Sequence, residues 1–118
     1  MTGIDEVDRL VAVITVDCHN LAEEMSAFYE TFAEAVPLPA IATAAGRSLQ
    51  VLRFDIDERG DDLAARCRDD GVIHDRRLID LMFAPDTEAG WIHAAYRRCL
   101  GLVPYPAAFP KGWQPSWT

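Results

Sequence analysis

The sequence predicts an α+β domain in which a small, curled antiparallel sheet of SH3-like type sits between an N-terminal helical hairpin and a C-terminal helix with an extended aromatic tail. Three observations predict it. Leu21, Met25, Phe28, Phe32 and Val36 recur at three- and four-residue steps, the mark of a helix with one buried stripe. From Ala40 the period drops to two, as in strands with one wet face. After Phe83 the helical period returns and then gives way to proline and aromatic residues. The chain reads as a single domain, 1–118, made of a helical hairpin (1–36), a sheet (37–84), a helix (85–101) and a tail (102–118). Domains of this size bury about two thirds of the surface their unfolded chain exposes, enough for a core without disulfides or structural metals.

The elements follow in order. "DEVDRLVAVITVDCHN" opens with acids that suit a helix N-terminus, although its run Leu10–Val16 is rich in β-branched residues; a short helix is expected. In "NLAEEMSAFYETFAEAV", Asn20 can accept from the free amides of the first turn and Glu23 stands where a capping-box acid belongs. Pro37 and Pro39 end that helix. "AIATAA" is a first strand, and Gly46-Arg47-Ser48 reads as a turn. "LQVLRFDID" is a second strand, with Leu52, Phe54 and Ile56 inward and Arg53, Asp55 and Asp57 outward. "ERGDD" turns the chain, and "LAARCRD" alternates again, with Leu63, Ala65 and Cys67 inward. Asp70-Gly71 is a tight-hairpin signal, because Gly takes positive φ at little cost. "VIHDRRLIDLMF" is expected as one strand, bulged near Arg76-Arg77, with Ile79, Leu81 and Phe83 inward. "PDTEAGWIHAAYRRCLG" is a helix capped by Asp86 or Thr87 and stopped by Gly101. His93 falls mid-helix, where exposure is expected. Tyr105, Phe109, Trp113 and Trp117 recur every four residues in the tail. So many aromatics predict a segment that packs back on the domain, or one that contacts a protein partner or a second copy in a homodimer.

Charge narrows the function classes. The net charge is −8, and residues 1–36 hold eight acids against Arg9 alone. Such a surface repels phosphate backbones, so no nucleic acid and no anionic membrane is expected as a partner. No apolar run approaches the ~18 residues that span a bilayer. The segment "MTGIDEVDRL" is acidic where a secretory leader is basic, and the three cysteines form no close pair; together these predict a cytoplasmic protein.

The candidate chemistry lies in "VLRFDIDERGDDLAARCRDDG". Asp55, Asp57 and Gly60 imitate the start of an EF-hand loop, but Arg59 and Arg66 occupy the fifth and twelfth positions, where oxygen ligands belong. An EF-hand is therefore excluded. A looser site for a hard cation such as Ca²⁺ remains, formed by Asp55, Asp57, Glu58, Asp61 and Asp62 at a turn between two strands, with Glu23 and Glu24 as lesser candidates. The competing reading pairs these acids with Arg53, Arg59, Arg66 and Arg68 across the hairpin. Cys18, His19, Cys67, His74, His93 and Cys99 lack zinc-ligand spacing, and no nucleophile elbow, phosphate loop or dinucleotide fingerprint occurs, so an enzyme is not expected.

The succession "VDCHNLAEEMSAFYETF", "PLPA", "VLRFDID", "LAARCRDDGVIHDRRLIDLMF" and "AYRRCLGL" resembles, in order and spacing over about residues 7–102, the small bacterial calcium-binding proteins of the cyanobacterial type and related cytoplasmic proteins. The resemblance implies a helical hairpin, an SH3-like barrel, a closing C-terminal segment, and weak Ca²⁺ binding through surface carboxylates without catalysis. The aromatic tail lies outside it.

Overall fold

The computed structural model describes residues 3–105, with side chains from Glu6 onward. The elements run α1 (Gly3–Ile14), α2 (Leu21–Ala35), β1 (Ala40–Ala44), β2 (Arg47–Ile56), β3 (Leu63–Asp69), β4 (Val72–Arg77), a 3₁₀ turn (Leu78–Asp80) and α3 (Glu88–Cys99). The strands pair antiparallel in the order β1-β2-β3-β4. The expected architecture of N-terminal helices, antiparallel sheet and C-terminal helix is thus present. Phe109, Trp113 and Trp117 lie outside the described residues.

Local chemistry explains most boundaries. Asn20 caps α2 by accepting the Glu23 amide on its side chain at 2.9 Å, and the Glu23 carboxylate accepts the His19 amide at 2.7 Å. Val36 leaves the helical region because Pro37 follows it. Thr87, not Asp86, caps α3 by accepting from the Gly90 amide at 3.1 Å. At the other end Gly101 (φ +78°) sets up paired bonds, from the Gly101 amide to Arg98 O and from the Leu102 amide to Arg97 O, which satisfy the last carbonyls. The β1–β2 turn uses Ala45 and Gly46, both at positive φ, so Arg47 and Ser48 belong to β2. Asp70 and Gly71 make the corresponding tight turn between β3 and β4.

Two expectations of strand phase are corrected. In β2 the register slips between Val51 and Arg53, so Leu49 and Val51 are buried ahead of the bulge and Phe54 after it; Leu52 is not part of the inward set. After β4 the chain does not continue as a bulged strand. It winds into the 3₁₀ turn, which buries Leu78 instead of Ile79 and restores Leu81 and Phe83 to the core. Past that turn the chain returns to the opposite edge of the sheet. Thr43 and Met82 exchange two backbone hydrogen bonds of 2.8 Å, and this bridge carries the curl.

The core lies between the sheet and the helices. Met25, Phe28 and Phe32 of α2 meet Val51, Phe54, Leu63, Ala65 and Cys67 of the sheet. Trp91, Ile92, Ala95 and Tyr96 of α3 complete it. Phe32 and Phe54 rings lie 5.1 Å apart, and Tyr96 packs on both Phe28 (5.5 Å) and Phe32 (6.1 Å, edge-on). Val7, Leu10 and Ile14 bury one face of α1, and Asp8 reaches Arg98 of α3 at 3.6 Å. His93 is 2% exposed, which corrects the expectation that it faces solvent. α3 is buried over consecutive residues 91–96 because α1, α2 and the sheet surround it.

Candidate functional site

The β2–β3 connection is a closed six-residue turn. The Asp57 amide donates to Asp62 O and the Gly60 amide to Asp57 O, each at 3.0 Å. The Asp61 amide donates to Asp57 Oδ1 at 3.0 Å. These bonds hold the turn through its own backbone and the Asp57 side chain. The five acids expected to form one cation site meet three different fates there.

Asp62 is turned inward. Its Oδ1 accepts from the Leu63 amide at 2.9 Å and from the Tyr96 hydroxyl at 3.0 Å, and its Oδ2 accepts from Arg77 Nε at 2.7 Å. The Tyr96 oxygen in turn accepts from the Leu63 amide at 2.9 Å. Burial pushes the Tyr96 phenol well up, so it stays a neutral donor. Asp62 is therefore an anchor between turn, β4 and α3, with both oxygens in use. Asp55 is held along its own strand by Arg53, 3.0 Å from Nε.

Asp57, Glu58 and Asp61 remain on the rim. Partial desolvation pushes the Asp57 carboxyl up, but a hydrogen bond with the Asp61 side chain and bonds from the Asp61, Gly60 and Asp62 amides outweigh it and hold Asp57 below its usual range. Asp57 and Asp61 are thus tied together by the Asp61 amide, which donates to Asp57 Oδ1. Glu58 is exposed beside them, and Arg59 approaches Asp61 loosely at 3.8 Å. Among the described residues, no three Asp, Glu, His or Cys side chains are gathered as a ready metal cage. The oxygen-only chemistry of Asp57, Glu58 and Asp61 suits a hard cation, with water completing a shell of six to eight oxygens. It does not suit a soft metal.

The lesser candidates are engaged elsewhere. Glu23 serves the α2 cap. Glu24 hydrogen-bonds the Cys99 thiol, which burial first and then this carboxylate push up to about 11. Cys18 is raised by desolvation and by Glu23, Glu24 and Asp17. Cys67 is fully buried, and burial raises it too. No thiol is activated. The acids on the sheet face pair across strands, but not in the pairs the competing reading named: Arg66 meets Asp75 and Arg68 meets Gln50, while Arg53 and Arg59 meet acids beside them in sequence. Arg47 grips Asp69 through two bonds of 2.9 and 3.1 Å, and Arg66 bonds Asp75, its direct cross-strand partner, at 3.0 Å. Each arginine holds its acid below the usual carboxylate range.

Sequence reasoning missed Tyr96 and Arg77. Neither carries a local signal, because each meets Asp62 across the fold. The only hint was a tyrosine on an apolar helical face, whose hydroxyl must find a partner when buried.

No family model matches the chain, and no curated protein matches it in sequence. Two solved structures share its fold. One, described as a calcium binding protein in the calcium-binding form, superposes with a TM-score of 0.65 at 16% identity over 83% of this chain and 93% of that one. The other, CcbP of Anabaena, superposes with a TM-score of 0.67 at 15% identity over 84% of this chain and 94% of that one. The likeness read from element order thus holds for the fold. No helix among the described residues is long and apolar enough to cross a membrane.

Proposed function

We propose that this chain is a small acidic cytoplasmic protein that binds Ca²⁺ weakly at the β2–β3 turn, through Asp57, Glu58 and Asp61. The observation that carries the reading is a backbone-closed turn that holds Asp57 and Asp61 together, the Asp61 amide donating to Asp57 Oδ1 at 3.0 Å. Two such groups repel when both are ionised, and a divalent cation between them offsets that repulsion. The fold neighbour described in a calcium-binding form supports the choice of ion. Asp62 shapes the turn from behind, and Asp55 stays with Arg53. Few protein ligands and ample water make for low affinity. Bound ion stabilises the fold by mass action, about 2.7 kcal/mol at a hundredfold excess over Kd.

The test is a Ca²⁺ titration of the ¹⁵N-labelled chain. Amide shifts centred on residues 57–62 are expected, and Asp57→Asn with Asp61→Asn should remove them. An unresponsive spectrum, or shifts centred on Glu30 and Glu34 of α2, would overturn the assignment.

A further inference from the structure

The two edges of the sheet differ in chemistry. β4 carries Asp75, Arg76 and Arg77, charges of the kind that keep an edge strand from pairing with another chain. β1 carries none. Its outer side is bridged at Thr43, which exchanges backbone bonds with Met82. Backbone groups two residues apart in a strand point the same way, so the Ile41 N–H and C=O also point out of the sheet. Among the described residues nothing beyond the sheet bonds them. The chain after Met82 has turned toward α3, where Ala84 O accepts from the Thr87 hydroxyl at 2.7 Å.

Two apolar grooves adjoin that open stretch of β1. One, about 480 Å³, is lined by Val36, Pro37, Ala40, Ile41, Phe83 and Ala89. The other, about 310 Å³, shares Ile41 and Phe83 and runs to Met82 and Pro85. Ile41 is 62% and Met82 43% exposed. Acids stand beside the first groove: Glu88 lines it, exposed Asp86 lies just ahead of Glu88, and exposed Glu34 precedes Ala35 of its wall. Among the described residues no lysine or arginine lines either groove.

We infer that β1 is a docking edge for an extended, basic segment of a partner protein, with apolar side chains at alternate positions and lysine or arginine at its ends. Such a segment adds a strand at Ile41, where the chain's own return along the edge stops. Its backbone supplies the acceptor and donor that Ile41 faces, and its alternate side chains enter the grooves. Its cations meet Glu34, Asp86 and Glu88, and the net charge of −8 favours their approach. This edge is separate from the β2–β3 turn and does not depend on Ca²⁺ binding there.

The test titrates the full ¹⁵N-labelled chain with a short synthetic peptide of alternating valine and threonine, ended by lysines. Amide shifts centred on residues 40–44 and 82–85 are expected, with residues 57–62 unmoved. Replacing the terminal lysines by glutamates, or the threonines by prolines, should weaken binding about tenfold or more. Ile41→Pro removes the outward N–H but no ladder bond, and edge strands tolerate proline there; it should weaken binding about fivefold or more. Ile41→Lys, at an exposed position, should weaken it as much and covers the case in which the proline variant fails to fold. No binding at millimolar peptide, equal binding of lysine- and glutamate-ended peptides, or indifference to both Ile41 variants would overturn the inference. So would a dimer that Ile41→Lys converts to monomer, which assigns the edge to a second copy. Red-shifted tryptophan emission in Ile41→Lys without peptide would overturn it as well, by assigning the grooves to residues 106–118.

Discussion

Strand β3 has an acidic turn at each end, and the two are alike in composition but not in organisation. At its C-terminal end Asp69 and Asp70 precede Gly71. Asp69 is clasped by Arg47 and approached by Arg76 at 3.9 Å, and Asp70 serves the turn with φ +52°. At its N-terminal end Asp62 is half-buried against Tyr96 and Arg77, while Asp57 accepts the Asp61 amide. Acid count is the same kind of fact at both ends. What differs is the neighbour that the register delivers. β2 and β4 bring Arg47 and Arg76 to one end, and β4 and α3 bring Arg77 and a phenol to the other. A carboxylate with an arginine across the strand is already paired, whereas Asp57 is held by the amides of its own turn.

The largest expected effect separates both ends from the core. His93 is buried, and desolvation drives its imidazole down to about 4, against a raising bond from His93 Nε2–H to Leu78 O at 2.7 Å and a lowering effect of Arg97. Folded His93 is neutral, while the unfolded imidazole titrates near 6.5. Stability is therefore complete above pH 6.5 and falls as pH drops toward 4, by about 3 kcal/mol. Asp57, Asp69 and Asp75, held below their usual range, withdraw their contributions only as pH falls further through those lowered values. Urea melts at stepped pH should show the two phases in that order, and His93→Gln should flatten the first.

Next in size is Asp62→Ala, which leaves the Tyr96 hydroxyl and the Leu63 amide with only each other and Arg77 without its acceptor. A loss of about 2 kcal/mol in denaturant melts is expected. A loss as small as that for a surface acid would erase the contrast between the ends. The smallest effect sharpens it from the other side. Asp69→Asn weakens an ion pair whose arginine is 60% exposed, and should cost less than about 1 kcal/mol, diminishing with salt. It should also leave the response of residues 57–62 to Ca²⁺ intact.

Much of the fold was legible in the chain. The stripe Met25, Phe28, Phe32 and the alternation Leu63, Ala65, Cys67 named their buried faces directly. Asn20 and Gly101 marked helix ends, and Asp70-Gly71 marked a hairpin. Strand phase was less legible where a local irregularity intervened. The bulge at Leu52 and the 3₁₀ turn at Leu78 each shift which residue points inward, and neither has a composition that distinguishes it from regular strand. The candidate site was legible as a cluster but not as a geometry. Five acids at one turn were visible; that Asp62 faces the core and Asp55 its own arginine was not.

By itself, then, the sequence determined element type, order and most turns, because these depend on hydrogen bonds and side-chain periodicity among residues a few positions apart. Only the tertiary structure decided which charge meets which, whether His93 is wet, and which carboxylates meet an arginine. Those outcomes depend on groups brought together from distant positions, such as Asp62 with Tyr96 and Asp69 with Arg47, and a buried or paired charge is governed by its surroundings in space and not by its neighbours along the chain.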